Sequence, residues 1–454
     1  MASEQPSAPN PSGPAPGAPD RTEAPGAAQL KSLLLSPGYL QLLVLAALVG
    51  VPVSLVAFGF VGLEHQLQHW VWESLPDAVG YHQQPPWWWP LPALALAGVL
   101  IAPVLYRLPG HGGHLPVRGL GGPPLPPVTL PSVVLAALIA LPLGVSLGPE
   151  APLMAIGGGL ALLGVARAKR EEHPKAAAMI GMAGSCAAIA TIFGNPLVGC
   201  VMVLEAAGLG GPQLLLLVLP CLLASGIGAL VFTGFGHWTG LGIGALALPS
   251  LPKSGVPDAS ELLWAVPIAA LIAVVVVGAQ TLGWRAAAFT ERRTPWRTVV
   301  CALAVGVAIA AYALCTGRSP AEAALSGQAT LAQLAADPHS WGVGALVLLV
   351  LFKGLAWGVS LGSLRGGPIF PAILLGAAVG VACSGLPGLG TASGLSIGLA
   401  ASGAAITGLP VTATLLAILL VGVNAPDASP LMIVSAVISF VVATVLKRVA
   451  PAPA

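Results

Sequence analysis

Charge is what this chain has least of. Of its 454 residues only 7% are Asp, Glu, Lys or Arg, against about 25% in an ordinary soluble domain, and that shortage excludes a water-soluble globule of this size. The period-2 alternation of a transmembrane β-barrel is also missing. Cysteine is sparse: the six thiols (Cys186, Cys200, Cys221, Cys301, Cys315 and Cys383) sit in apolar runs without a C-x-x-C pair, which argues against a zinc site or a disulfide framework. The net charge of +2, spread along the chain, gives no footprint for a nucleic-acid partner. No basic start followed by an apolar core marks a secretory signal.

What is present is hydrophobic length. Apolar residues make up 56% of the chain, and runs near the roughly 20 residues that cross a bilayer recur between Leu42 and Leu446. The sequence therefore predicts an all-α polytopic membrane protein. Apolar segments fall at about 42–63, 90–106, 131–147, 150–166, 176–193, 196–208, 213–235, 261–284, 298–316, 342–362, 368–384, 394–421 and 430–446. Several are too short to span, and such Gly/Pro-interrupted segments read as broken or re-entrant helices of a transporter or channel.

Residues 1–29 are rich in Pro, Ala, Gly and Ser, a composition expected to stay disordered. The transmembrane domain is expected over 30–450, in two halves at about 90–250 and 260–448, with no C-terminal regulatory domain after it. Basic clusters (Arg167, Lys169, Arg170, Lys175; Arg285, Arg292, Arg293, Arg297; Lys447, Arg448) mark cytoplasmic ends under the positive-inside tendency. Both termini are thus expected in the cytoplasm of a multi-pass protein of the cell membrane.

The strongest internal signal is a repeat. Gly144-Val145-Ser146-Leu147-Gly148 recurs letter for letter as Gly358-Val359-Ser360-Leu361-Gly362, and each copy leads into a G-P-x-x-P element: Gly148-Pro149-Glu150-Ala151-Pro152 with Gly157, and Gly367-Pro368-Ile369-Phe370-Pro371 with Gly376. Gly194-Asn195-Pro196-Leu197 and Gly408-Leu409-Pro410-Val411 echo one another further on. Matching interrupted segments in two halves are the trace of transporter repeats. Proline at a helix start loses no hydrogen bond. The amides behind it, on Glu150 and Ala151 and on Ile369 and Phe370, would face outward with the positive end of the helix dipole, which suits an anion. Glycine before each proline lets the backbone come close. Amide donors would hold an anion loosely enough to release it, as conduction requires; plain helix packing is the other reading of such starts.

A few polar residues stand out against this background. Glu150 is the only charged residue between Arg118 and Arg167. As an intramembrane carboxylate at a helix start it reads as a protonatable gate competing with the permeant anion, or more plainly as a carboxylate stabilising the dipole. Glu205, alone between Lys175 and Lys253, belongs to a proton route or to the polar surface. Lys353 pairs with a carboxylate, steers anions, or snorkels to an interface. Arg365 steers anions at a pore mouth or is an ordinary loop arginine. His111 and His114 lack further metal ligands nearby, so a flexible glycine turn is favoured and no metal or cofactor is expected. Trp87-Trp88-Trp89 reads as an interfacial anchor.

Taken in order, these motifs resemble the CLC chloride channel and transporter superfamily over about residues 95–446. Ser146-Leu147-Gly148-Pro149-Glu150-Ala151-Pro152 is similar to its G-R-E-G-P element, Gly367-Pro368-Ile369-Phe370-Pro371 to its G-x-F-x-P element, and Gly112-Gly113-His114-Leu115-Pro116 to its G-S-G-I-P element. Gly194-Asn195-Pro196-Leu197-Val198-Gly199, ending in Leu204-Glu205, resembles the stretch that ends in paired glutamates. The likeness is greatest to a bacterial ion-transport branch carrying S-L-G-P-E and R-G-G-x-I-F-P. The resemblance implies CLC-like inverted repeats, a homodimer with one pore per subunit, and an anion held by Gly148, Pro149, Glu150, Ala151, Gly367, Pro368, Ile369, Phe370 and Gly113. It makes Glu150 the gating residue. The family's central serine falls on Gly113, its anion-contacting tyrosine near Pro430, and its internal proton glutamate on Ala206, beside Glu205.

The expected function is transmembrane transport of an anion, chloride foremost, through a channel or in exchange for protons. Selectivity for another anion such as fluoride or nitrate is the alternative. An intramembrane enzyme or assembly factor would need convergent catalytic groups, and none is evident.

Overall fold

The computed structural model describes residues 27–449 apart from 121, 123, 168–173, 209–211, 241–247, 249–256, 292–293 and 423–424. Most of the tail expected before residue 30 lies outside the described residues, as do Lys169, Arg170, Arg292 and Arg293. The chain folds as helices: α1 (Ala27–Leu34), then α2 (Pro37–His69), which runs through a π-helical turn (Trp70–Ser74) into α3 (Leu75–Ala78). There follow α4 (Pro90–Arg107), α5 (Leu130–Ala140), α6 (Glu150–Arg167), α7 (Pro174–Phe193), α8 (Pro196–Ala207) and α9 (Pro212–Thr239). Beyond these come α10 (Ala259–Thr290), α11 (Pro295–Thr316), α12 (Gln328–Ala336), α13 (Val343–Ser363), α14 (Ile369–Ala382), α15 (Thr391–Thr407), α16 (Pro410–Val421) and α17 (Ala425–Val449).

Proline and short polar caps set many of these starts. Ser36 Oγ accepts from Tyr39 N at 3.3 Å just before Pro37, and Asn195 Oδ1 accepts from Leu197 N at 2.8 Å across Pro196, satisfying amides that a helix start leaves free. Left-handed glycines end α8, α11 and α15 at Gly208, Gly317 and Gly408. Among the described residues nine helices are long and apolar enough to cross a membrane. Others are not: α8 and α16 have 12 residues each, about 18 Å at 1.5 Å per residue, against a hydrocarbon core of about 30 Å.

Two of the expected boundaries differ in the structure. The expected run 394–421 is two helices, because Gly408 (φ +70°) and Pro410 turn the chain between α15 and α16. The run 131–147 stops being helical at Ala140. The shared Gly-Val-Ser-Leu-Gly letters are not equivalent in space: residues 144–148 are non-helical, whereas 358–362 lie inside α13. Packing explains the difference. Gly144 (φ +101°) faces the Trp72 indole, whose N–H donates to Pro142 O at 3.0 Å. Gly358 and Gly362 instead press against Ala279 and Gly283 of α10.

The glycines that follow the G-P elements bring helices into close contact. Gly157 of α6 and Gly184 of α7 each face the other's carbonyl, and so do Gly376 with Gly398 and Gly380 with Gly394 where α14 crosses α15. Small-residue crossings of this kind allow dense packing where lipid supplies no hydrophobic drive. They leave α14 buried from Ile369 to Val381. Gly376→Leu is expected to cost about 1–3 kcal/mol or more by overpacking, read as earlier loss of the monodisperse peak on heating; an unchanged heating profile would contradict the tight crossing.

Candidate functional site

The non-helical segments before α6 and α14 meet, so the two helix starts face one another. Gly148 N donates to Gly367 O at 2.7 Å, and Gly367 N donates back to Gly148 O, an isolated antiparallel bridge. Helix starts at Glu150 and Ile369 follow directly, with Pro149 and Pro368 one residue ahead of the first helical position expected for them. Between them lies the Glu150 side chain, fully buried at 0% exposure. Its Oε1 accepts from Phe370 N at 2.8 Å, while the amides of Ile369 and of Glu150 itself face the same carboxyl group. Oε2 has no hydrogen-bond partner among the described residues.

Glycine is required on both sides of this carboxyl group. A Cβ at either Gly148 or Gly367 would fall on the Glu150 carboxyl atoms. The Phe370 ring below the donor amide packs on Phe193, the last residue of α7, with centroids 5.5 Å apart. Sequence reading had not singled out Phe193; its place just before the Gly194-Asn195-Pro196 break was the available signal. A bare amide cluster holding a carboxylate can also hold another anion of similar charge.

The remaining expected site residues are dispersed around this centre. Gly113 (φ +92°) gives its amide to Gly110 O at 2.8 Å, so it supplies a wall rather than a donor. That wall bounds a narrow cavity of about 50 Å³ that Ala151, Pro152, Ser185 and Gly366 also line. Arg365 lies on a second, open cavity of about 340 Å³ with Tyr106, His114 and Arg118. Pro430 is exposed inside α17, so the tyrosine position assigned to it does not face the site.

Lys353 neither snorkels nor meets a carboxylate. It is 0% exposed, and Nζ donates to the carbonyls of Ala323 (3.1 Å), Ala324 (2.9 Å) and Leu325 (3.2 Å). This arrangement corrects its reading as an anion-steering charge, because its three donors are spent on backbone. The Leu325 amide in turn donates to Gly144 O at 3.3 Å, tying this segment to the loop that leads into Glu150.

Glu205 joins the end of α8 to the start of α16. Oε1 accepts from Val411 N at 2.9 Å, and Oε2 from Thr412 N at 2.8 Å and Thr412 Oγ1 at 2.7 Å. A carboxylate on helix-start amides is a strong cap. Glu205→Ala is therefore expected to destabilise the protein by about 1–2 kcal/mol, measured as a lower midpoint of thermal or denaturant unfolding; wild-type stability would count against the cap. A further buried carboxylate, Glu64 of α2, is 2% exposed and accepts from Gln68 Nε2 one turn on.

The starts of α6 and α14 thus meet at a buried carboxylate inside a bundle of helices that are long and apolar enough to cross a membrane. Residues 116–444 match the family model described as voltage gated chloride channel. By sequence the chain is 28% identical over 342 residues, 74% of this chain and 77% of the relative, to the "Putative ion-transport protein YfeO" of Escherichia coli O139:H28. It is 29% identical, with the same coverage, to the protein of that name in Shigella boydii serotype 4. Among solved structures it is similar to a slow cyanobacterial Cl−/H+ antiporter, with a TM-score of 0.73 at 19% identity over 91% of this chain and 95% of that one. A CLC-type fluoride/proton antiporter gives a TM-score of 0.67 at 19% identity over 88% and 94%. The chain belongs to the voltage gated chloride channel (CLC) family, and CLC-type anion transport is its class of activity.

Proposed function

We propose that the chain carries a small monovalent anion of the chloride class across the cell membrane, with Glu150 as its protonatable gate. The observation that carries this reading is the Glu150 carboxylate accepting from the Phe370 amide between two helix starts. An anion arriving there competes with the carboxylate for the same donors, and protonation removes the carboxylate as a competitor. Gly148 and Gly367 give the site its space, while Pro149 and Pro368 stand just before the two helix starts; Ala151, Ile369 and Phe370 contribute backbone.

The structural neighbours bear on coupling, since one is a Cl−/H+ antiporter and another a fluoride/proton antiporter. Proton exchange is the natural extension of a gate that binds a proton. The same proposal includes two subunits with one pathway each. It also sets the termini in the cytoplasm, on the side of Arg167, Arg285, Arg297, Lys447 and Arg448.

The test is chloride efflux from liposomes carrying the purified protein, with external pH recorded in the same trace. Efflux above empty liposomes, with protons moving the opposite way, supports a proton-coupled exchanger; efflux without proton movement supports a channel. Absence of efflux for chloride, fluoride and nitrate alike would overturn the reading.

A further inference from the structure

The half-buried guanidinium of Arg365 faces an open cavity. It sits in the loop between α13 and α14, two residues before Gly367. Its Nε–H donates to His111 O at 3.1 Å and Nη1 donates to Leu364 O at 3.1 Å, leaving three of the five N–H groups of an arginine. Among the described residues no carboxylate lies within ion-pair distance of it. Its stem packs on the Gly110–Gly113 turn, where a Cβ on Gly112 would meet Arg365 Cγ.

The cavity it faces is electropositive by subtraction. Two other charged groups line it, Arg118 and Glu291, and these pair with each other at 3.6 Å. Burial and the Arg365 charge hold His114 below its ordinary value, so its imidazole is neutral at physiological pH. Tyr106 and Thr298 add hydroxyls, already joined at 2.9 Å. A partly buried guanidinium without a carboxylate is costly unless an anion completes it.

We propose that Arg365 forms a binding site for a planar monovalent oxyanion at the mouth of the transport pathway, and that it biases the protein toward such anions over spherical halides. The shape of the group carries the selectivity. A guanidinium offers parallel N–H groups in one plane, which match two oxygens of nitrate, bicarbonate or formate at once. A halide has one centre and cannot use that fork.

Geometry connects this site to the gate. The open cavity at Arg365, about 340 Å³, is several times the volume of the narrow one of about 50 Å³. Gly113 and His114 line both this cavity and the narrow one of about 50 Å³ that reaches Ala151 and Pro152. The narrow cavity holds little more than one or two waters. Gly113 brings no side chain to this turn, and the guanidinium from the other half of the chain stands beside it.

The proposal rests on the anion-transport reading but not on Glu150. Its test compares nitrate, formate, bicarbonate and chloride, by equilibrium binding to the purified full chain and by initial efflux from liposomes. Nitrate and formate are expected to bind several-fold more tightly than chloride. In Arg365→Lys, which keeps the charge and loses the fork, the nitrate-to-chloride ratio of both affinity and flux is expected to fall by about five-fold or more. Chloride binding as tightly as nitrate to the wild-type protein overturns the proposal without recourse to any variant. So does an unchanged ratio in Arg365→Lys. If no anion is transported, the transport reading fails while the binding comparison still decides this site; if chloride moves without preference for nitrate, this proposal alone fails. The fastest-carried of the three oxyanions identifies the source of the ligand.

Discussion

Replacing Glu150 by alanine is expected to raise anion flux at neutral pH by about ten-fold or more and to remove its dependence on pH. The carboxylate is fully buried and accepts a 2.8 Å hydrogen bond from Phe370 N. A hydrogen bond to a charged group contributes about 1.5–3 kcal/mol, and each 1.4 kcal/mol is about a factor of ten in an equilibrium. An anion that no longer competes with this carboxylate gains a factor of that order. In the wild type the sign follows from the charge: protonation removes the competing anion, so flux rises as pH falls. Glu150→Gln, which keeps the shape and loses the charge, should flatten the pH profile as well. A variant of either kind that folds normally and keeps the wild-type profile would show that Glu150 is not the gate.

Gly367→Ala is expected to produce nearly the same phenotype with Glu150 still in place. A Cβ on Gly367 would coincide with the Glu150 carboxyl group, and something must yield. The backbone is held by the reciprocal Gly148–Gly367 hydrogen bonds, whereas the glutamate side chain turns about its own torsions. The carboxyl group is therefore displaced from the Phe370 amide. Flux should rise several-fold at neutral pH and lose most of its pH dependence. Gly367→Ala combined with Glu150→Ala should add little to either single change, because the two act on one contact. Additive effects, or a folded Gly367→Ala protein with a wild-type pH profile, would contradict this account of the glycine.

The membrane class and the two helix starts were legible because their signals are local. Low charge and long apolar runs give the class, and Gly-Pro pairs give the starts. The pairing of those starts was legible only as a repeat; that Glu150 of the first lies on the Phe370 amide of the second is a contact 220 residues apart in the chain. Identical letters misled where tertiary packing decides: Gly144 is bent against Trp72, while Gly358 and Gly362 are helical against α10. Lys353 was illegible for a related reason. Its partners are backbone carbonyls of residues 323–325, and carbonyls leave no mark in a sequence. Glu205 was visible as a lone carboxylate, but its bond to the α16 amides depends on how α8 meets α16.

The central claim is that Glu150 and the transported anion compete for one set of amides. Its most direct test is proton uptake on anion binding: chloride is added to the purified protein in weakly buffered solution while pH is recorded. Chloride that displaces the carboxylate takes away its hydrogen bond from Phe370 N and leaves it beside a bound anion, both of which favour its protonated form, so the medium turns alkaline on addition and Glu150→Gln gives no such change. Saturable chloride binding with no proton uptake, or equal uptake in Glu150→Gln, would contradict the competition.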